Sequence, residues 1–366
     1  MGFAERLQSG GSLAVRLAAA AEALKTVLRV FKPAVVLAAS NWQNALPAGI
    51  AARELGLPFA YEVRGFWEIS RASREPEWGA GPEFEAVVAH ETAVARGADR
   101  VFTLNRLMRQ ELLRRGVKEA RVALVPNGID AAAIEVGPAP RVGVPTRADL
   151  GLTSRYVVGY VGSFNEYEGL EALIRAVAAL RRRGVDLSLL LVGASHKTGL
   201  SAPDAKAPLE TAYRELARSH GLADEHLQMP GRLAPEAATA CYNLLDLVVL
   251  PRRPLAVCEL VTPMKPLEAL AHGKPVLLSD VAPLADLAEI SPQFHYFRKG
   301  DEADLANQVA RLLQNPTPIA PPTPELLQTL SWPNRVKPIA QWVQENSGGR
   351  SLAGLAARAE FAGAGN

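Results

Sequence analysis

Short apolar runs alternate with segments of helical periodicity along this 366-residue chain, and the alternation occurs in two series. The first series runs from AVVLAAS (34–40) to RVALVPNG (121–128). The second runs from YVVGYVGSF (156–164) to DEADLANQVARLLQN (301–315). Buried strands that alternate with helices are typical of a parallel sheet with helices on its faces. The sequence therefore predicts an α/β protein with two parallel-sheet domains in tandem.

A segment rich in proline and glycine separates the two series and is interpreted as a linker at 136–155. We therefore predict a first domain at 1–135 and a second at 156–330. A closing helix is predicted at 331–346. The remaining residues, 347–366, are mostly small, and we predict a flexible tail there.

The composition excludes several classes of protein. The net charge of +2 argues against bulk binding of nucleic acid, and two cysteines without a paired framework suit a reducing compartment. The first residues, MGFAERLQSGG, lack the apolar core of a signal peptide, and the sequence has no apolar run of about 18 residues, so we predict a cytoplasmic protein. The basic amphipathic segment at 12–31 fits a helix packed on a sheet or a helix lying on the inner face of a membrane. The six histidines have no metal-ligand spacing, and no metal is predicted.

The first strand of the second domain ends in a glycine turn, Gly162-Ser163. In open parallel sheets, ligands bind beyond the carboxyl ends of the strands. A glycine there lets backbone N–H groups approach a phosphate, although a plain tight turn is equally consistent with the sequence. The surrounding GYVGSF lacks the G-x-G-x-x-G pattern, which argues against a dinucleotide cofactor.

The stretch CELVTPMKPLEALAHGKPV (258–276) places Lys265 between two prolines, at the predicted start of a short helix. A cation at a helix N-terminus is unfavourable by itself, and a bound anion would relieve it. Arg252 and Arg253 follow the preceding strand, and their guanidinium groups suit phosphate oxygens. Glu268 would accept hydrogen bonds from a vicinal diol such as ribose. The sequence therefore predicts a pyrophosphate site, against the alternatives of a solvated lysine and an ordinary first-turn glutamate.

Several motifs resemble glycosyltransferase family 4, the retaining nucleotide-sugar enzymes of GT-B fold, whose two domains are Rossmann-like with a cleft between them. The segment YEVRGFWEISRASREPEW resembles the bacterial polysaccharide and surface-glycan branch of that family. The resemblance covers about residues 20–345 and is most specific in the second domain. Its motifs there are VPNGID (125–130), GYVGSFNEYEGLEALI (159–174), MPGRL (229–233) and ELVTPMKPLEALAHGKPVLLSD (259–280).

The resemblance implies roles for residues on the donor side. Lys265, Arg252 and Arg253 would neutralise the diphosphate of a UDP- or GDP-sugar, and Glu268 would bind its ribose. The other donor-side positions that it implies are Gly162, Ser163, Arg232, Leu233, Glu259 and Thr262. Glu259 is counted with the catalytic group. No cofactor and no metal are implied beyond the donor itself.

The resemblance also implies an acceptor side in the first domain, formed by residues near strand ends. The acceptor would be a glycan, a lipid-linked glycan or a small molecule. The residues that would meet it are Asn41, Trp42, Glu62, Arg64 and Asn105.

The chain departs from the family pattern at several of these positions. Many relatives have Arg and Lys where this chain has Ser163 and Glu168. The two glutamates of the family stand eight positions apart, whereas Glu259 stands nine before Glu268. Arg64 stands where many relatives place a histidine. The phosphate charge would then rest on Lys265 and the arginines.

The first domain is short compared with the family, because 12–31 already corresponds to the helix before a middle strand. The strand AVVLAAS would then form an open sheet edge. We expect that edge to be covered by a second copy of the chain, by another subunit or by the N-terminal helix.

Three functions are consistent with the sequence. The first is sugar transfer to an acceptor hydroxyl with retention of configuration and without a metal. The second is a non-catalytic subunit that binds a nucleotide sugar or braces a partner. The third is a sugar-nucleotide epimerase of the same fold.

Overall fold

The protein folds into two compact units, each built on one parallel sheet. The computed structural model describes residues 12–130, 145–195, 209–316 and 322–348. Residues 127–332 form the second unit, and the described residues before and after them form the first. Positions 136–144 of the predicted linker and most of the predicted tail lie outside the described residues.

The first unit contains a four-stranded sheet with the order β1-β2-β3-β4. Its strands are β1 (Val36–Ala39), β2 (Phe59–Val63), β3 (Arg100–Thr103) and β4 (Val122–Leu124). Its first helices are α1 (Leu13–Phe31), α2 (Trp42–Glu54), α3 (Trp67–Ala72), α4 (Pro76–Gly79), α5 (Pro82–Gly97) and α6 (Arg106–Arg114). All three strand pairs are parallel, as the alternating pattern predicts.

The segment LPAGIAARELG (46–56) predicts a helix, and α2 begins four residues before it. The reason is a local cap, because the side chain of Asn41 accepts a hydrogen bond from the backbone N–H of Gln43 at 3.2 Å. Pro47 lies inside the helix without ending it. The helix is followed by Gly56 with a φ of +66°.

Strand β1 is the outermost strand of the described sheet, so the predicted edge position is confirmed. It pairs with β2 through Val36 and Phe59, and the side chain of Leu37 remains 42% exposed. Helix α1, whose N-terminus is capped by Ser12, packs against α2. Lys25 of α1 forms an ion pair with Glu54 of α2.

The second unit contains a six-stranded sheet with the order β10-β9-β8-β5-β6-β7. Its strands are β5 (Tyr156–Val161), β6 (Leu187–Val192), β7 (Leu227–Gly231), β8 (Leu247–Leu250), β9 (Val276–Ser279) and β10 (Phe294–Phe297). Its helices are α7 (Leu170–Arg182), α8 (Leu209–Ser219), α9 (Pro235–Ala240), α10 (Ala256–Leu260), α11 (Lys265–Ala271), α12 (Glu302–Gln314) and α13 (Pro324–Leu330).

Apolar periodicity explains the core of the second unit. Every residue of β6 is buried, as expected for a strand with helices on its faces. Helix α7 has an apolar stripe at helical spacing that is buried as well, and it consists of Leu170, Leu173, Ile174, Val177 and Leu180. These residues pack with apolar side chains of α12 such as Leu305 and Val309.

The predicted closing helix at 331–346 is divided into two helices, α14 (Trp332–Arg335) and α15 (Lys337–Asn346). Proline at the second position of α15 accounts for the break, because it cannot donate to the preceding turn. Trp342 of α15 packs against Ala60 and Phe102 in the core of the first unit. The Trp342 and Phe102 rings meet edge to face with centroids 6.3 Å apart.

Candidate functional site

The carboxyl edge of the second sheet carries most of the predicted donor-side residues. Gly162 and Ser163 follow β5, and Arg252 and Arg253 lie two and three residues beyond the end of the neighbouring strand β8. Parallel strands end at the same edge, so these residues lie on one side of the sheet.

Lys265 lies against the end of β5. A β-carbon on Gly162 would stand 2.2 Å from Cε of Lys265, and the φ of Gly162 is +147°, which side-chain-bearing residues rarely adopt. The Lys265 ammonium is 5.3 Å from the ring centroid of Tyr160. The Tyr160 hydroxyl donates to the carbonyl of Ser163 at 2.9 Å. Glycine and tyrosine of one strand end therefore form the seat of this lysine.

The backbone around this seat is packed closely as well. Gly193, which follows β6, has a φ of +136°, and a β-carbon there would meet the carbonyl oxygen of Gly162 at 2.0 Å. Its N–H donates to the carbonyl of Gly231 at 3.0 Å. The ends of β5, β6 and β7 are thus fixed against one another at the edge where a ligand would bind.

A buried carboxylate pairs with Lys265. Glu168 Oε1 lies 3.2 Å from Lys265 Nζ, and Glu168 Oε2 lies 4.0 Å from Nε of Arg252. The side chains of Glu168 and Arg252 are each 3% exposed, whereas that of Lys265 is 19% exposed. Within the described part of the chain, Glu168 Oε2 and Arg252 Nε are buried without a hydrogen-bond partner.

The charges of this group favour the ionised carboxylate. Burial raises the pKa of Glu168, but the charges of Lys265 and Arg252 outweigh that effect and hold its pKa below the ordinary value. Burial likewise lowers the pKa of Arg252, but the negative charge of Glu168 raises it, and the net shift is upward. The group therefore holds two cations and one anion, with the more accessible cation on Lys265.

Glu268 lies one turn after Lys265 on α11 and is half-buried. Its Oε2 accepts a hydrogen bond from the hydroxyl of Tyr242 at 3.3 Å. The Tyr242 ring stacks on His272 with centroids 5.4 Å apart. Burial and, to a smaller extent, the charge of Lys274 together lower the pKa of His272 to about 4, so the imidazole is neutral at pH 7. Sequence reasoning missed Tyr242 because its contact with Glu268 spans 26 positions.

Arg252, one of the two arginines predicted to neutralise a diphosphate, is buried. Its NH1 donates to the carbonyl of Val261 at 2.8 Å, and its side chain lies beneath the surface beside Glu168. Arg253 is exposed and borders a cavity of about 430 Å³ with Pro251 and Phe297 among its lining residues. The two neighbouring arginines therefore lie in different surroundings, and a direct phosphate contact stays a prediction for both.

The N-terminus of α11 itself offers little positive charge to an anion. Helix α11 spans only seven residues, and Pro266 in its first turn has no N–H to offer. The charge available to an anion at this position is therefore that of Lys265.

The remaining donor-side residues have diverse surroundings. Glu259 forms an ion pair with Lys299 at 2.7 Å and accepts from the N–H of Ala282 at 2.9 Å. The carbonyl of Thr262 accepts from the Asn127 side chain at 2.9 Å. Arg232 is exposed and Leu233 half-buried just after β7. Their roles in contacting a sugar or a base stay predictions.

The acceptor-side residues lie near the carboxyl ends of β1, β2 and β3. Asn41 caps α2, and Asn105 caps α6 by accepting from the N–H of Met108 at 2.8 Å. Glu62 is half-buried, and Arg64 is exposed with its N–H bonded to Ser40 Oγ at 3.2 Å. Strand pairing of Ala39 with Glu62 and of Val63 with Thr103 brings these ends to one edge.

Trp42 is a correction to the predicted acceptor side. Its side chain is 6% exposed, and its indole stacks on His90 with ring centroids 4.3 Å apart. Its backbone N–H donates to Glu91 Oε1 at 3.0 Å. The residue belongs to the packing between α2 and α5 in this structure.

A buried polar network in the first unit was not predicted. The Tyr61 hydroxyl donates to Glu91 Oε2 at 2.5 Å, and Arg115 NH1 donates to Glu68 Oε1 at 2.7 Å. Burial raises the pKa of Glu91, and it also raises that of Tyr61 far above its ordinary value. Spacing in the sequence gives no signal for it, because its members come from four separate elements.

The described residues contain no group of three or more His, Cys, Asp or Glu side chains that is arranged to hold a metal ion. None of their helices has the length and apolarity that crossing a membrane requires.

Comparison with known proteins identifies the family. The family described as "Glycosyl transferases group 1" matches residues 155–315, and that described as "Glycosyl transferase 4-like domain" matches residues 4–128. The chain belongs to the family 4 glycosyltransferases. The resemblance read from the motifs is thereby confirmed, and so is the α/β class with two parallel-sheet units of GT-B type.

The curated relatives of this chain include two enzymes named as transferases. It is 29% identical over 280 residues to the D-inositol 3-phosphate glycosyltransferase of Salinispora arenicola, a match that covers 74% of this chain and 59% of that protein. It is 28% identical over 283 residues to the 2-deoxystreptamine glucosyltransferase of Streptomyces kanamyceticus, covering 75% and 66%. The chain thus spans about three fifths of the first of these relatives.

Solved structures show the same fold at low sequence identity. The sucrose-phosphate synthase of Thermosynechococcus elongatus superposes with a TM-score of 0.66 at 22% identity, covering 91% of this chain and 79% of that one. HepE of Anabaena, solved in complex with UDP and glucose, superposes with a TM-score of 0.66 at 18% identity, covering 91% and 83%.

Proposed function

We propose that this glycosyltransferase moves a hexosyl group from a nucleoside diphosphate sugar to an acceptor hydroxyl, with retention of configuration. The proposal rests on one observation. Lys265 and Glu268 lie on the same turn of α11, beyond the carboxyl edge of the second sheet. One supplies a cation for the diphosphate and the other a carboxylate for the ribose. The UDP complex of HepE and the glucosyltransferase among the relatives support this choice of donor.

The chemical role of Lys265 follows from the charge that develops during transfer. As the bond between the anomeric carbon and the phosphate oxygen breaks, negative charge accumulates on the departing diphosphate. An ammonium held beside that oxygen stabilises the transition state more than the ground state. The acceptor oxygen forms the new bond to the anomeric carbon, and its proton passes to the departing phosphate oxygen. The reaction then needs positioned positive charge more than a pair of carboxyl groups.

We propose further that no metal ion assists this step. Lys265, with Arg252 behind it, supplies positive charge in the position that a divalent cation fills in other transferases. Turnover should then be retained in EDTA. Loss of turnover on chelation, with recovery in Mg²⁺ or Mn²⁺, would contradict this part of the proposal.

The function is tested with a panel of nucleotide sugars and the full-length chain. UDP- and GDP-hexoses are incubated with the protein, with and without an acceptor extract, and release of nucleoside diphosphate is measured. Acceptor-dependent release that is lost in Lys265→Ala supports the proposal. Binding without release would favour a non-catalytic subunit, and conversion of the donor without any acceptor would favour an epimerase.

A further inference from the structure

Glu168 occupies an unusual position for a carboxylate, because it lies behind the cation that the proposed site offers to a diphosphate. Its Oε1 is 3.2 Å from the ammonium of Lys265, and the side chain is 3% exposed. The contact joins residues 97 positions apart and is not a product of local chain geometry. Solvation by water at the surface does not explain a carboxylate that is buried beside a site proposed to bind an anion.

We propose that Glu168 is a positioning residue that orients Lys265 and limits the affinity of the site for the nucleoside diphosphate. The inference rests on the proposed function, because it assumes that Lys265 binds the diphosphate. Glu168 itself touches neither substrate nor product in this proposal. It acts through the lysine and through its own charge.

The orienting effect follows from the contacts of Lys265. Its stem lies in the space that Gly162 leaves open, and its ammonium lies over the ring of Tyr160. Glu168 accepts a hydrogen bond from one of the three ammonium N–H groups, so the others remain available to donate to a phosphate oxygen. A lysine fixed in this way loses less side-chain entropy when a ligand binds.

The limiting effect follows from charge. A phosphate oxygen that accepts from the Lys265 ammonium would lie within about 6 Å of the Glu168 carboxylate, a distance at which like charges repel measurably. Arg252 offsets part of that repulsion, yet it stands 4.0 Å from the carboxylate and is buried, away from the surface that a ligand reaches. The site therefore binds diphosphate less tightly than its two cations alone would. A product that binds weakly leaves sooner.

The decisive measurement is the affinity for inorganic pyrophosphate and for UDP, by titration calorimetry on the full-length protein. Glu168→Gln keeps the shape and an acceptor oxygen but removes the charge. We expect it to bind both ligands about tenfold more tightly, the lower end of what one charge at this distance does to another ionisable group. A structural role alone predicts unchanged or weaker binding, so either of those results would overturn the inference.

Glu166→Gln is the matched control. Glu166 lies two residues earlier in the same short helical turn and is half-buried, and the substitution makes the same change in net charge. Its affinity for pyrophosphate should stay within about twofold of the unsubstituted protein. A tenfold increase in this control too would mean that net charge, and not the position of Glu168, sets the affinity.

Two further comparisons keep the test decisive. If Glu168→Gln fails to fold, the same substitution is made in an Arg252→Met background, so that one buried cation is removed together with the anion. This double variant is compared with Arg252→Met alone. The tenfold increase is expected there as well, and its absence would overturn the inference. Failure of the proposed function is distinguishable, because Lys265→Ala would then leave pyrophosphate binding unchanged, whatever Glu168→Gln does.

Discussion

A β-carbon on Gly162 would stand 2.2 Å from Cε of Lys265, so the stem of the lysine occupies the space that the glycine leaves open. The glycine predicted to approach a phosphate thus has a second role, which is to seat the cation. The two roles are compatible, because both depend on the absence of a side chain at the end of β5.

Gly162→Ala should therefore weaken both folding and ligand binding. The new methyl group displaces Lys265 and forces a φ of +147° on alanine, so we expect the free energy of unfolding to fall by about 1–3 kcal/mol. Pyrophosphate affinity should decrease as well, which calorimetry measures. Gly184→Ala is the control, because its φ is +82° and no atom lies within 4 Å of the new β-carbon. A variant with the pyrophosphate affinity of the control would contradict the seating role.

Lys265→Ala should weaken binding of nucleoside diphosphate by about 1.5–3 kcal/mol, the value of a charge-assisted hydrogen bond. Lys118→Ala, which removes the same charge from an exposed position in the first unit, is the control. Titration with UDP measures the difference. Unchanged affinity in a folded Lys265→Ala protein would remove this lysine from the site.

The sequence predicts the two sheets and most of their helices because apolar periodicity is a local property. Strand β6 and helix α7 are recognised from their own residues, and both are buried as expected. Short elements such as α3, α4 and α10 were missed, since four to six residues carry too little periodicity to be recognised. The start of α2 depends on one capping side chain, Asn41.

The site is predictable only in part, for a related reason. The charges of Lys265 and Glu268 are local signals, and α11 places both on one turn. The burial of Arg252 and the pairing of Glu168 with Lys265 depend on how β5, β8 and α11 pack. Spacing along the chain carries no information about such contacts.

Glu268→Ala should distinguish ribose from phosphate. We expect weaker binding of UDP and nearly unchanged binding of pyrophosphate, because only UDP carries ribose hydroxyl groups that can donate hydrogen bonds to the Glu268 carboxylate. Equal losses for the two ligands would contradict a ribose role. Calorimetry with both ligands on one protein preparation provides the comparison.

Tyr242→Phe should show the same selectivity in a weaker form. The tyrosine hydroxyl donates to Glu268 Oε2 at 3.3 Å, and its removal frees the carboxylate to rotate. We expect UDP affinity to fall by about threefold, within the usual value of one hydrogen bond, while pyrophosphate affinity stays constant. A loss confined to pyrophosphate would show that Tyr242 acts on another part of the site.

The last prediction concerns pH and His272. Burial, together with the charge of Lys274, lowers the pKa of this imidazole from 6.5 to about 4 in the folded protein, so between those values the unfolded chain binds a proton that the folded chain does not. The free energy of unfolding should therefore decrease as the pH falls from 6.5 to 4, by up to about 3 kcal/mol from this residue. Carboxyl groups titrate in the same range, and a variant is needed to isolate the histidine. His272→Phe retains the stacking on Tyr242 and removes the proton-binding group. Urea unfolding at a series of pH values should show the variant losing less stability than the unsubstituted protein below pH 6.5. If the free energy of unfolding falls with pH in parallel for the two proteins, His272 is protonated in the folded state as readily as in the unfolded chain.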